Sequence, residues 1–407
     1  MSFLLSSKNA FKYLEQHNIY TQRGEYTGQI ERKVARNFNL LLSLPDDRTV
    51  ILKQECYGPE GKTTGGFYNE WQIQELLQQF PALSHLRSLV PEVIHFDQEH
   101  SIIIFNYLNN HSDLIDFYTK KNDFSPAIAS AIGSTLAAFH QATLNRQEYR
   151  GFLAQGREDT PANSGIPQIV RKFDRLSPEV FGQVPADGLK FFALYQRYGS
   201  LRVAIAELTD TIDPCCLTHN DLKLNNILLH KDWQQILEAR SLEHQSSEHQ
   251  SSEHQSSKHN IIRIIDWERC SWGDPAFDVG MLVGSYLLLW LKSLVVSKSI
   301  AIEDSLRMAV IPLERLQPSI AALVSTYFTN FPEILEYCPQ SLKRAMQFSG
   351  LALILHIQAT LQHRKTFGNT GICMLQVAKG LLCSPEQFMP TVLGSAAPEI
   401  MGLQPIA

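Results

Sequence analysis

The chain has no Cys-x-x-Cys pair. Its seven cysteines are scattered, and Cys215 and Cys216 are adjacent and so poorly placed to bridge. An odd count without a framework excludes a disulfide-stapled scaffold and reads as reduced thiols in a cytoplasmic protein. The excess of acidic over basic residues is also small, 41 against 36. A net charge of −5 argues against a nucleic-acid surface as the main role. The most membrane-like stretch, Val279 to Leu291, holds 13 uncharged residues between Asp278 and Lys292. That is short of the ~20 a spanning helix needs, so a buried helix is expected and no membrane partner. The N-terminus, Met1 to Lys8, lacks a basic start and a long apolar core, so no signal peptide is expected.

Two phosphate-binding signatures are missing as well. Gly58-Pro59-Glu60-Gly61-Lys62-Thr63 sits between a strand-like and a helix-like stretch, where a P-loop would stand. A Walker A loop needs four residues between its first glycine and the Gly-Lys pair; here there are two, and the required position is Cys56. The stretch from Gly58 to Gly66 therefore reads as a flexible loop. The glycine-rich loop of protein kinases is absent too.

What is present is concentrated in two runs. Leu217 to Leu229 contains His219-Asn220-Asp221-Leu222-Lys223-Leu224-Asn225-Asn226, flanked by apolar residues. Ile261 to Ile265 is a second apolar run, broken only by Arg263, that ends in Asp266-Trp267-Glu268. Phosphoryl transfer needs one carboxylate to orient the attacking hydroxyl, and an amide and a second carboxylate to hold the metal on the triphosphate. On that reading Asp221 is the catalytic base and Asn226 and Asp266 are ligands for Mg²⁺, which needs few protein ligands because it keeps several waters. The plainer reading is an ordinary Asx turn capping a short strand. It leaves the second run, with its terminal Asp-Trp-Glu, unexplained.

These runs, with Gly273-Asp274-Pro275 and Asp278 after them, resemble the aminoglycoside phosphotransferase and choline kinase family of small-molecule kinases. The usual pattern there is His-Gly-Asp-Leu-His-Pro-x-Asn; this chain has Asn220, Lys223 and Leu224 where Gly, His and Pro are usual. Lysine two residues after the base is the Ser/Thr protein-kinase pattern, where it meets the γ-phosphate of ATP, so Lys223 joins Asp221 as a catalytic candidate. There is no Ala-Pro-Glu activation segment after Asp266.

The resemblance implies an α+β class: a bilobal protein-kinase-like fold with a small antiparallel-sheet N-lobe (1–106) and a mostly helical C-lobe (107–407). A length of 407 residues is natural for two lobes. Strand-like segments fall in Gln29 to Leu44, with a hairpin turn at Asp46-Asp47, and in Thr49 to Glu55. Lys53 ends an apolar run, where an unpaired ammonium would be costly unless it snorkels to the surface. The resemblance makes it the lysine that contacts the α- and β-phosphates and pairs with a helix glutamate. Glu70 is favoured as that partner and Glu75 is the alternative. Asn39, in Arg36-Asn37-Phe38-Asn39, loosely resembles the family's phosphate loop. Asn106, Tyr107 and Leu108 fall at the hinge that takes the adenine edge, with Asn106 where Glu is frequent. His140, at the end of an apolar-periodic helix from Ala127 to Ala142, reads as a core histidine. His219 and Asp278 read as bracing residues.

Glu243 to Ser257 is three copies of Glu-His-Gln-Ser-Ser. A period of five fits neither helix nor strand, and this composition cannot bury a core. An expanded repeat in an exposed loop is the expectation, with disorder over about 240–260; adventitious metal binding is the rival. Residues 150–200 read as an insertion near the acceptor site, the stretch from 279 to about 383 as helical, and Ser384 to Ala407 as a Pro-, Gly- and Ala-rich tail.

The expected reaction is Mg·ATP-dependent transfer of the γ-phosphoryl group to an alcohol hydroxyl of a small molecule or peptide. Only Glu386 and Glu399 lie beyond Leu381, too few carboxylates for a polycationic aminoglycoside. Lys223 lends some weight to a peptide Ser/Thr acceptor, as in lanthipeptide synthesis, where a separate partner lyase would be required. A nucleotide-binding pseudokinase or scaffold is the reading from a different class.

Overall fold

The computed structural model describes residues 3–21, 28–33, 35–58, 60–155, 185–246, 260–297 and 299–403. The chain divides into two compact units: Met1–Asp116 with Asn225–Cys270, and Phe117–Leu224 with Ser271–Ala407.

The first unit is built on a five-stranded antiparallel sheet of β1 (Ile30–Lys33), β2 (Phe38–Ser43), β3 (Thr49–Gln54), β4 (Val93–Asp97) and β5 (Ile102–Asn106), in the order β1-β2-β3-β5-β4. The expected turn at Asp46-Asp47 joins β2 to β3. Asp47 takes a left-handed backbone (φ 60°), and Asp46 Oδ1 accepts the Arg48 N–H.

Period-two alternation sorts the side chains onto two faces. Leu40, Leu42, Val50, Leu52, Ile102 and Ile104 pack against Leu5, Tyr13 and Leu14 from the N-terminal segment, which carries helix α1 (Ala10–Gln16). On the other face Ile103 and Phe105 pack with Phe67 and Trp71 of helix α2 (Gly66–Gln79). Burying each such aliphatic or aromatic side chain contributes about 1.5–3 kcal/mol. Lys53 lies on this second face, directly opposite Asn39 of β2 and Ile103 of β5.

The end of the first motif run, from Asn225, meets the second run in this unit. The strands Ile227–His230 and Ile262–Ile264 pair antiparallel, Ile227 facing Ile264 and Leu229 facing Ile262, with the strand His111–Asp113 on the other edge. Between them the helix Trp233–Ser246 reaches into the first copy of the repeat. The part of the repeat before 247, expected to be disordered, is therefore helical: Trp233 to Leu242 carries good helix formers that propagate the turn into it. The remainder, 247–259, lies outside the described residues.

The second unit is mostly helical. Pro126–Thr143 packs on Leu313–Asn330, and Pro275–Ser293 packs on Ser341–Arg364. Close approach is bought with glycine: a Cβ on Gly133 would lie 2.5 Å from the Leu323 carbonyl oxygen, and one on Gly284 2.6 Å from Ala352 Cβ. Pro275–Ser293 is long and apolar enough to cross a membrane by length and composition alone. Its side chains from Phe277 to Leu291 are largely buried within the unit, as a core helix requires. The tail expected after Ser384 is instead helical over Pro385–Leu393 and Ala397–Met401, with Met389, Val392 and Ile400 buried. Its prolines Pro385 and Pro398 stand in the first turns of these helices, where a missing N–H costs nothing. Most of the insertion expected over 150–200, residues 156–184, lies outside the described residues.

The α+β class, with an antiparallel sheet in the N-terminal region followed by a mostly helical remainder, is as expected.

Candidate functional site

The candidate residues fall into two groups, one in each unit. In the first unit Lys53 Nζ donates to Asp266 Oδ1 at 2.5 Å, and its ammonium stands 5.1 Å from the centre of the Phe105 ring. Asp266 follows the strand Ile262–Ile264 and takes a left-handed backbone (φ 62°), which a non-glycine residue rarely adopts without compensation. Burial alone would pull the Lys53 ammonium below its ordinary range. The carboxylates of Asp266 and then Glu70 outweigh it and hold the ammonium above its ordinary range.

Three carboxylates converge here: an oxygen from each of Glu70, Asp266 and Glu268 lies within 4.8 Å of the others. Burial lifts the Glu70 carboxyl well above its ordinary range, against the pull of Lys53 and with a further push from Asp266 and Glu268. Glu70 Oε2 is buried and finds no hydrogen-bond partner among the described residues. Glu268 is likewise raised, by burial first. Hard oxygen donors crowded around an orphaned buried oxygen suit a divalent cation such as Mg²⁺.

The α2 glutamate in this group is Glu70; Glu75 stands outside it. The expected ion pair, however, differs: the described contacts of Lys53 are with Asp266, and Glu70 acts on it through space. Asp266 wins because it sits closer to the end of the lysine stem, and a short charge-assisted bond outweighs a more distant attraction.

Asn226 is buried, and its carbonyl oxygen accepts the Ile265 N–H at 3.0 Å, so the two expected metal ligands stand on adjoining segments. Asn39 is in β2 rather than on a loop, with its Oδ1 buried and unpartnered among the described residues beside Lys53. Asn106 ends β5, and its amide donates to Glu92 Oε2 at 2.5 Å. Tyr107 N–H donates to the Thr49 carbonyl, and the Leu108 carbonyl accepts the His111 N–H.

Sequence reasoning assigned no role to three residues that build this group. Asn37, in the turn between β1 and β2, donates to Glu268 Oε1 at 3.0 Å, and Asn69 of α2 donates to the Glu268 carbonyl. Glu55, two residues after Lys53, is buried and accepts from Thr64 Oγ1, the Gly66 N–H and Ser101 Oγ. It thereby satisfies an orphan donor at the start of the helix that carries Glu70. Its position just past an apolar strand was the one legible signal.

In the second unit the short strands Cys216–Thr218 and Ser271–Gly273 pair and deliver the loop that carries Asp221. Asp221 Oδ2 accepts from Lys223 Nζ at 3.0 Å, with both side chains partly exposed. Asp278, fully buried, accepts the His219 N–H at 2.7 Å and the Asn220 N–H at 2.9 Å, and lies 3.3 Å from His140 Nε2. His140 Nδ1 is 2.9 Å from the Tyr327 hydroxyl. His219 Nδ1 accepts the Asp221 N–H at 3.2 Å. Bracing is thus what His140, His219 and Asp278 do. Beside them Asp274 caps the helix Pro275–Ser293 through the Ala276 N–H, and Arg344 grips its other oxygen with two donors.

The model of the phosphotransferase enzyme family matches residues 36–237. The 4-hydroxytryptamine kinase of Psilocybe cyanescens is 26% identical over 219 residues, 51% of this chain and 49% of that protein, so the chain spans about half the length of the curated relative it matches. Among solved structures, choline kinase LicA from Streptococcus pneumoniae shares 16% identity with a TM-score of 0.47, covering 93% of this chain and 99% of that one. The GDP complex of aminoglycoside 2'-phosphotransferase-IIIa shares 13% identity with a TM-score of 0.47, covering 93% and 100%. Lys53, Glu70, Asp221 and Asn226 lie inside the matched span and Asp266 lies beyond it; over residues 36–237 the chain is similar to the phosphotransferase enzyme family.

Proposed function

We propose that this protein is an ATP-dependent O-phosphotransferase that moves the γ-phosphoryl group to an alcohol hydroxyl of a small molecule. The observation that carries the reading is the Lys53–Asp266 pair, ringed by Glu70 and Glu268: one cation and several oxygen donors gathered from distant parts of the sequence. In this reading Lys53 anchors the α- and β-phosphates and Glu70 holds the lysine's charge. Asn39 lies alongside the phosphates, and the backbone of Asn106, Tyr107 and Leu108 takes the adenine edge. Asn226 and Asp266 would hold Mg²⁺, which, when bound, supplies the charge neutralisation that phosphoryl transfer demands.

Asp221 orients the acceptor hydroxyl and takes up its proton as the bond to phosphorus forms. In the same reading Lys223, which pairs with Asp221, meets the γ-phosphate. Most of the rate enhancement in such a site comes from positioning and preorganised charge. The lobes proposed are 1–106 for the nucleotide and 107–407 for the acceptor. The relatives named above are small-molecule kinases by name, and a peptide acceptor with a partner lyase finds no support among them.

The test is ³¹P NMR and mass spectrometry of reactions with Mg·ATP and a panel of choline, hydroxytryptamines, homoserine, amino sugars and aminoglycosides, with Asp221→Ala as control. A phosphorylated product that vanishes in the variant establishes the reading. ATP bound but never consumed across the panel replaces it with a nucleotide-binding scaffold.

A further inference from the structure

The residue before Asp221 is where this chain departs from the glycine usual in the family it resembles, and the structure shows a left-handed backbone there (φ 61° at Asn220). For an L-residue that region is unfavourable, less so for asparagine, so what the side chain does there bears on why it stands in place of glycine. Asn220 is buried. Its Nδ2 donates to Ser271 Oγ at 2.7 Å, and its Oδ1 lies 3.0 Å from the Thr218 hydroxyl. That hydroxyl is also 3.0 Å from the Ser271 carbonyl oxygen. Its backbone N–H is held by Asp278. The side chain therefore bridges the two strands that frame the loop. Gly273 permits the bridge, since any Cβ there would collide with Thr218 Oγ1. On the far side the loop is pinned by the buried Leu222 and Leu224. Asp221, partly exposed, leaves the loop directly between Asn220 and Leu222.

We infer that Asn220 is a positioning residue for Asp221: its amide, clamped between Thr218 and Ser271, sets the direction in which the Asp221 carboxylate leaves the loop. A glycine would adopt the same backbone without strain but could not make the clamp. The inference rests on the proposed phosphotransferase reading.

The experiment compares Asn220→Gly, Asn220→Asp and Ser271→Ala with the full-length wild type, measuring kcat, the KM for ATP, Tm and backbone amide exchange. Asn220→Gly should fold and keep its KM for ATP while kcat falls on the order of 10–100-fold, as sub-ångström to ångström misplacement of a reacting group does. Asn220→Asp tolerates the left-handed backbone and can accept from both hydroxyls, so it should recover most of kcat. Ser271→Ala combined with Asn220→Gly should cost no more than Asn220→Gly alone. Wild-type kcat in Asn220→Gly, or a loss matched by a lower Tm and not recovered by Asn220→Asp, overturns the inference. A wild type inactive on every acceptor would instead count against the phosphotransferase reading. Amide exchange then decides alone: faster exchange confined to 218–222 in Asn220→Gly supports the clamp, and unchanged exchange there refutes it.

Discussion

Lys53 and Asp266 are 213 residues apart in sequence and 2.5 Å apart in the first unit. Their pairing places a cation among three carboxylates that would otherwise repel one another. Lys53→Met should therefore lower turnover on the order of 10²–10³-fold, the cost of removing one preorganised charge from such a site. Tm should fall as well, since Glu70, Asp266 and Glu268 are left without their counter-charge. Steady-state kinetics beside a thermal melt checks both; an active variant would remove Lys53 from the machinery.

Lys223 separates activity from stability. Its pair with Asp221 is partly solvated, and such pairs contribute roughly 0–1 kcal/mol. Lys223→Ala should leave Tm nearly unchanged while kcat falls about 10²-fold. A variant that loses Tm but keeps kcat would show that the lysine serves the loop's fold alone.

Arg344 matters in the opposite way. Asp274 is almost fully buried, and burial raises its carboxyl in spite of the pull of the Arg344 guanidinium. Arg344 also donates to Thr211 Oγ1 at 2.6 Å. Arg344→Met strands the Asp274 charge and should destabilise the protein by about 3–5 kcal/mol, the usual cost of breaking a buried pair from one side. Denaturant unfolding measures it.

His111 makes stability depend on pH. Burial, then the charges of Arg263, His230 and Lys231, push its pKa down to about 4, and both ring nitrogens are buried without partners among the described residues. The folded protein refuses a proton that the unfolded chain accepts below about pH 6.5, so this contribution to stability is lost as pH falls from there towards 4. His111→Leu should flatten the decline of Tm between about pH 7 and about pH 5 relative to wild type. An identical slope in the two proteins would show that His111 titrates normally.

Legibility from sequence followed the range of the interactions. The alternation in Thr49 to Glu55 put Lys53 on a strand, and the spacing of His219, Asp221 and Asn226 with the terminal Asp266 marked the candidate residues, because both depend on residues near one another in the chain. The α2 glutamate could not be chosen by spacing: Glu70 and Glu75 are both on the helix, and only its packing on β3 and β5 brings Glu70 to Asp266. The last helices were missed because Pro and Gly read as breakers, whereas Pro385 and Pro398 start helices whose apolar positions find a core to cover.

Local alternation thus marked the strands of this protein, and its motif residues carried the resemblance that implied the class of fold. The tertiary structure decided which charges pair. It chose Asp266 over Glu70 for Lys53, drew Asn37 and Asn69 to Glu268, and clamped Asn220 between Thr218 and Ser271. Pairing depends on distance in space and on burial, which sharpens every electrostatic preference, and neither quantity is written in the order of the residues.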